Sequence, residues 1–319
     1  WRHQFTKDLT AYANFSIGDS KIKVTKWNNS NQFIGHTNNV KYAYEGETWG
    51  DIWGFETDRY FTENDFNGKD ASGKWIYKAG IADQTPIQND NFVYGPGDIK
   101  YKDLSGDGKI DGGKGTVKDH GDLKVIGNVL PRYEYSFRLG ATWKGFDIDA
   151  FFQGVGKRDM WTISAFNFPL MIGHDLTLYK NQTKYNVYDP ANGVVNISEN
   201  NDYPCLWPGN STAGNVTALS DSGGSHNYYP QSKYLVNMSY LRLKSLTLGY
   251  TLPNDLTRKA YIQSLRVYVS GNNLFLLHKG SKNLPIDPEV NTGESLANGG
   301  WGRTMPPMRT FAVGMQLTF

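Results

Sequence analysis

The stretch Tyr133-Glu-Tyr-Ser-Phe-Arg-Leu-Gly-Ala-Thr-Trp-Lys-Gly-Phe-Asp-Ile-Asp-Ala-Phe-Phe152 decides the fold. Tyr133, Tyr135, Phe137, Leu139, Ala141 and Trp143 alternate with Glu134, Ser136, Arg138, Gly140 and Thr142. Lys144-Gly145 interrupts the pattern, after which Phe146, Ile148, Ala150 and Phe152 alternate with Asp147, Asp149, Phe151 and Gln153. Successive strand side chains point to opposite faces, so this is a hairpin with one apolar, aromatic face and one charged face. A two-residue turn pairs Trp143 with Phe146 and Gly140 with Asp149, which puts Arg138 diagonal to Asp149 and predicts an ion pair between them. One side meets lipid or core and the other meets water.

The same period recurs on both sides. Leu9, Ala11, Ala13, Phe15 and Ile17 alternate with polar residues, then Gly18-Asp19-Ser20-Lys21 turns the chain into Ile22 and Val24. Val40, Tyr42 and Tyr44 predict a short strand, Glu45-Gly46-Glu47 a turn, and Trp49 to Phe61 an aromatic, glycine-rich segment. Leu241 and Leu243 lie in one phase and Leu246, Leu248, Tyr250 and Leu252 in the other, so a bulge at Lys244-Ser245 reconciles them. Pro253 to Gln263 is a turn. Leu265, Val267 and Val269 form the next strand, and Phe311, Val313, Met315, Leu317 and Phe319 the last. No segment has a helical period with caps. Three long loops are expected, at approximately 62–127, 154–235 and 273–308; loops of that size are usually functional. With the short turns on one side, the long loops and the Asp103 region fall together on the other.

Composition narrows the class. The chain is 39% hydrophobic with mean hydropathy −0.55, and no run approaches the ~18 apolar residues of a spanning helix. A barrel escapes that test because only alternate residues face lipid. Aromatic content of 14% and 35 glycines suit strands and turns. A net charge of +2, without basic clusters, gives no case for nucleic acid as a partner. The single cysteine, Cys205, excludes an internal disulfide framework. A chain starting at Trp1, without initiator Met or signal peptide, is expected to be a mature product or a piece of a longer protein.

The acidic segment carries the metal expectation. Asp103, Ser105, Asp107 and Asp111 place side-chain oxygens around Gly108 as a calcium loop does, with the Lys109 carbonyl as a further ligand. Lys114 stands where an EF-hand has its bidentate Glu, so Asp122, or else Asp111 or Asp119, has to close the shell. The plainer reading is a solvated acidic turn. Hydrolytic chemistry finds no support: the six histidines are scattered, and no Gly-x-Ser-x-Gly elbow or phosphate-cradling loop occurs. Asp147 and Asp149 read as wall charges rather than a catalytic pair. Asn14, Asn28, Asn181, Asn196, Asn210, Asn215 and Asn237 open Asn-x-Ser/Thr triplets that fall in Asn-rich loops. Aromatics from Trp161 through Phe166, Phe168, Tyr179, Tyr185, Tyr188 and Trp207 to Tyr228 and Tyr229 suit either ligand contact or local packing.

Several blocks then resemble one family in its own order. They are Gly50-Asp-Ile-Trp-Gly-Phe-Glu-Thr-Asp58, Pro96-Gly-Asp-Ile-Lys-Tyr-Lys-Asp-Leu-Ser-Gly-Asp-Gly-Lys-Ile-Asp111, Ile126-Gly-Asn128 and Phe151-Phe-Gln-Gly-Val-Gly-Lys-Arg-Asp159, followed by Tyr240-Leu-Arg-Leu-Lys-Ser-Leu-Thr-Leu-Gly-Tyr-Thr-Leu-Pro253, Val269-Ser-Gly-Asn-Asn-Leu-Phe275 and the terminal Gly314-Met-Gln-Leu-Thr-Phe319. Together they resemble the C-terminal part of a SusC/RagA-type TonB-dependent outer-membrane transporter of Bacteroidetes. The resemblance implies an all-β, transmembrane antiparallel β-barrel of about 22 strands with long extracellular loops. Counting gives nine strands in this chain, the C-terminal portion, with the plug and earlier strands elsewhere. It further implies active import of an oligosaccharide or peptide, not enzymatic activity. The implied partners are a SusD-like surface lipoprotein, TonB acting through a part absent here, the remaining barrel and plug, and outer-membrane lipid. The rival readings are a secreted β-rich calcium-containing glycan-binding or adhesion protein, and a passive porin.

Overall fold

The computed structural model describes residues 1–34, 42–88, 92–161, 166–169, 178–206, 227–282, 284–289 and 305–319. Seven strands form one antiparallel meander in chain order. They are β1 (Arg2–Thr6), β2 (Leu9–Gly18), β3 (Arg132–Trp143), β4 (Phe146–Lys157), β5 (Tyr240–Thr251), β6 (Ser264–Lys279) and β7 (Thr310–Thr318). Among the described residues the only α-helix is the single turn Asn254–Thr257, between β5 and β6, and no helix is long and apolar enough to cross a membrane.

The deciding hairpin folds as its alternation requires. Phe146 pairs with Trp143 and Asp149 with Gly140. Lys144 (φ 47°) and Gly145 (φ 89°) both take the left-handed backbone that a tight two-residue hairpin turn demands. The register then carries each face across the sheet. One row reads Leu9, Trp143, Phe146, Tyr250, Val267 and Met315, and the next Ala11, Ala141, Ile148, Leu248, Val269 and Val313. The opposite face has rows of Thr10, Thr142, Asp147, Gly249, Tyr268 and Gly314, and of Tyr12, Gly140, Asp149, Thr247, Ser270 and Ala312. The apolar face is open: Phe146 is 56% and Val313 84% exposed. A contiguous apolar surface of this extent needs a nonaqueous cover.

The bulge expected at Lys244-Ser245 is present, as a register shift between Leu243 and Ser245 against both neighbouring strands. Elsewhere the count and bounds differ from the nine strands expected. β1 lacks a clear alternation and is held by its pairing with β2 through the Lys7-Asp8 turn. Ile22 and Val24 form no strand; Lys23 makes only a single bridge to Thr48. The Gly18 end of β2 pairs with Glu134, so Gly18–Lys21 lies at the long-loop end rather than among the short turns. Val40 lies outside the described residues, while Asp51–Phe55 and Thr57–Tyr60 pair with Leu123–Asn128 and Ile99–Tyr101 in small sheets of their own. β4 runs on to Lys157. β6 runs on to Lys279, past Asn273, whose left-handed backbone (φ 53°) breaks the period without ending the strand.

Three long connections leave the sheet at one end, after β2, β4 and β6. The first two share an apolar core. Ile52, Phe55, Tyr60, Phe61, Tyr94, Ile99 and Tyr101 come from one, and Trp161, Phe168, Tyr203, Tyr228 and Tyr234 from the other. Of the second-loop aromatics, Trp161, Phe168 and Tyr228 are therefore taken up in packing, and Tyr185 and Tyr229 lean on the same core; Trp207 lies outside the described residues. Buried polar groups lock the two connections. Asp98, fully buried, accepts from Asn227 Nδ2 at 2.8 Å. Asn227 Oδ1 takes the Ile99 amide at 2.8 Å, and Gln231 Nε2 donates to the Tyr101 hydroxyl at 3.1 Å. A buried carboxylate left without such partners would cost several kcal/mol.

Candidate functional site

The charged face of the sheet is a wall of paired groups. Arg138 Nε lies 3.1 Å from Asp149 Oδ1, the ion pair predicted from the turn. The other oxygen of Asp149 accepts the Tyr12 hydroxyl from β2, a partner the hairpin alone could not reveal. Asp147 receives Arg266, with Nε at 3.0 Å, and the guanidinium rests over Tyr268 at 4.9 Å. Both aspartates are thus held as acceptors, which suits wall charges rather than general acid-base work.

Nearer the loops, Arg242 of β5 is buried, and it reaches Asp287 and Glu289 of the connection after β6. Its Nε lies 2.9 Å from Glu289 Oε2, close enough for an ion pair though not aligned as a hydrogen bond. Lys244 completes the set on Glu289. Ile286 and Leu284 pack beside these charges on Met160, Val236 and Met238. The ion pairs and this small core therefore pin residues 284–289 to the strand ends. Sequence spacing gave no sign of this cluster, whose basic members stand more than forty residues from its acidic ones.

The acidic loop is well ordered by its own backbone. Asp103 Oδ1 accepts from Gly106 N at 2.6 Å and Ser105 Oγ at 3.3 Å, and its Oδ2 from Gly108 N at 2.9 Å. Burial pushes the Asp103 carboxyl up, but the amides of Gly108 and Gly106 outweigh it and hold it below the usual range. Asp107 Oδ1 accepts the Lys109 amide at 2.8 Å, and Asp111 Oδ1 the Gly113 amide at 2.7 Å. Asp122, 1% exposed, takes the amides of Leu104 and Ser105 on one oxygen and that of Asp111 on the other. Asp122 is therefore a clasp between the two ends of the loop. The structure brings Asp103, Ser105 and Asp107 to one turn but commits Asp122 to amides. Among the described residues no group of three or more His, Cys, Asp or Glu is disposed to hold a metal ion. Lys109 bridges in parallel to Asp83, which docks the loop on its neighbour.

Other loop charges have specific settings. Glu56 lies between Lys102 and Lys124, which hold its carboxyl down at about 2. Burial raises the Glu47, Asp51 and Asp159 carboxyls and the Cys205 thiol. That makes Cys205 a poor nucleophile.

No family model matches the chain. It is 24% identical over 337 residues to TonB-dependent receptor P3 of Formosa agariphila, a match covering 100% of this chain and 28% of that protein. Against TonB-dependent receptor P26 of the same organism it is 25% identical over 259 residues, covering 80% and 22%. Against TonB-dependent receptor SusC of Bacteroides thetaiotaomicron it is 30% identical over 141 residues, covering 42% and 12%. Among solved structures, the RagAB peptide importer in its closed-closed state matches with a TM-score of 0.57 at 19% identity, over 100% of this chain and 28% of that one. The open-open state matches with a TM-score of 0.55, also at 19% identity, over 100% and 27%. The chain thus spans well under half the length of the relatives it matches. At that identity the solved structures show the fold, an antiparallel barrel whose wall this seven-stranded sheet represents. The homologues of this chain are TonB-dependent receptors of the SusC and RagA kind rather than enzymes, and what it matches is a C-terminal share of their length.

Proposed function

We propose that the chain forms the C-terminal wall and outer loops of a TonB-dependent importer that carries an oligosaccharide or peptide across the bacterial outer membrane. The observation that carries this reading is the two-faced sheet. Open apolar rows lie on one side and compensated charges on the other, in a chain whose whole length matches a TonB-dependent receptor. Sheet edges are not tolerated in hydrocarbon, so β1 and β7 require further strands, supplied by the rest of the receptor. The long connections then face outward, where a SusD-like lipoprotein would meet cargo. RagAB is described as a peptide importer, and that supports the cargo class without naming the molecule. TonB would act through the plug, which lies beyond this chain.

Calcium belongs to the same proposal as a structural ion. Asp103, Ser105, Asp107 and the Lys109 carbonyl are oxygens of the kind a hard cation takes, and binding would have to draw them together from the loop amides that Asp103 and Asp107 accept in this structure. Asp111 is the better closing ligand, because Asp122 already serves three amides.

The test is energy-dependent uptake by cells with the full-length receptor. Uptake lost on deleting the receptor, and equally on deleting TonB, is the expected result. Uptake that survives TonB deletion points to a porin. A protein released from cells without detergent points to a secreted binding protein.

A further inference from the structure

The open apolar face is not level. It holds a hollow of about 680 Å³, whose lining includes Ala141, Trp143, Phe146, Leu248, Val267 and Val313. These residues stand in the two apolar rows nearest the Lys144-Gly145 turn, so the hollow crosses β3 to β7 on the face away from the paired charges. Ala141 brings only a methyl group to a row where Ile148 and Leu248 bring branched chains. Phe146 and Tyr250 line the hollow as a ring pair, 4.5 Å between centres. The Lys144 ammonium lies over the Trp143 ring at 5.5 Å, which sets a cation at the edge of the hollow. No carboxylate among the described residues pairs with it. The short connections Lys7-Asp8, Lys144-Gly145 and 252–263 share this end of the sheet. They carry Lys7, Lys144, Arg258 and Lys259 against Asp8 and Asp255, all exposed, so the rim is basic.

We propose that this hollow seats an acyl chain of an anionic glycerophospholipid from the periplasmic leaflet, with the lipid phosphate at Lys144. The short connections mark the periplasmic end of such a wall, and glycerophospholipids make up that leaflet. A chain running up from the headgroup meets Trp143, Phe146 and Val267 first, then Ala141, Leu248 and Val313 in the next row. The charge decides the headgroup. A basic residue at a membrane surface favours an anionic lipid, whereas the ammonium of a zwitterionic headgroup offsets its own phosphate and meets the cationic rim unfavourably. The rim also argues against a second copy as occupant. Two receptors in one membrane stand the same way up, so a twofold contact through this hollow would bring Lys144 toward its own copy. The site rests on the reading of the sheet as a membrane wall, and it adds to that reading a fixed place and a headgroup preference. It does not depend on the cargo.

The experiment is native mass spectrometry of the purified, delipidated full-length receptor in micelles, titrated with phosphatidylglycerol or phosphatidylethanolamine of matched chains. Lys144→Asn removes the cation and keeps a residue suited to the left-handed backbone of the turn. Ala141→Phe fills the hollow from an open face, and Lys118→Ala in an outer connection is the exposed control. The expected result is that the tightest phosphatidylglycerol binds about fivefold better than phosphatidylethanolamine. Lys144→Asn brings the two lipids level, Ala141→Phe weakens both, and Lys118→Ala binds as the parent does. Equal affinity for the two headgroups in the parent overturns the site, as does phosphatidylglycerol affinity unchanged in either hollow variant. A lipid-free dimer that Ala141→Phe splits gives the hollow to a second copy and overturns it too. The membrane reading is scored separately, by whether the receptor leaves cells only with detergent. Failure of the site with that requirement intact leaves the membrane reading standing, and release without detergent overturns both.

Discussion

The ring of Tyr12 fills the space that a side chain would need at Gly140, its partner across the β2–β3 pair, and its hydroxyl donates to Asp149 one strand further on. Tyr135 stands over Gly154 and Tyr268 over Gly314 in the same way. A tyrosine laid over a cross-strand glycine covers bare backbone and couples neighbouring strands. Gly140→Ala forces the ring aside and breaks its bond to Asp149. It is expected to lower the unfolding free energy of the receptor in micelles by about 2 kcal/mol, against about 1.5 kcal/mol for Tyr12→Phe, which loses the charged hydrogen bond alone. Urea unfolding checks both, and a Gly140→Ala receptor as stable as the parent contradicts the packing.

Glu56 gives a pH dependence with a definite sign. Its folded carboxyl is held at about 2 by Lys102 and Lys124, below its ordinary 4.5. The stability it contributes is therefore fully present above the ordinary value and lost as pH falls toward the folded one. The difference in melting temperature between parent and Glu56→Gln is expected to be flat from pH 7 to about 5 and to shrink between about 4.5 and 2. A difference that grows on acidification contradicts the assignment. As Glu56 is partly exposed, added salt is expected to reduce the difference at neutral pH.

The acidic loop separates a cation ligand from a clasp. Asp107→Ala is expected to abolish calcium-dependent protection of the Lys109 peptide bond from trypsin while leaving the strands folded. Asp122→Asn is expected to expose the same bond with or without calcium, because it weakens contacts to the amides of Leu104, Ser105 and Asp111. If calcium protects neither the parent nor the variants, the segment is an acidic turn held by its own backbone.

The sheet was legible where one face had to be apolar over many residues. Along 133–152 a slip of one residue would put Arg138 into the apolar face, so the period fixed register, turn and the Arg138–Asp149 pair together. Tyr12 was not legible as the second partner of Asp149, since it belongs to a strand more than a hundred residues away. The loop core was hidden for a similar reason. Phe61, Tyr94 and Tyr101 are buried from irregular or very short segments, where no period exists to count. The acidic loop was recognised, but spacing could not show that Asp122 spends its oxygens on three amides.

The most direct measurement is the environment of each face in a bilayer. Spin labels at Ile148, Leu248 and Val313, and at Thr247, Ser270 and Ala312, placed one at a time in the full-length receptor with Cys205 and any further cysteine replaced by Ser, report contact with lipid-soluble oxygen or a water-soluble nickel chelate. The first three share an apolar row and the second three the adjacent charged-face row. The account predicts oxygen contact and chelate protection for the first set, with the second set showing neither strong oxygen contact nor lipid mobility. Chelate contact at Ile148, Leu248 and Val313 together with oxygen contact at Thr247, Ser270 and Ala312 would contradict it.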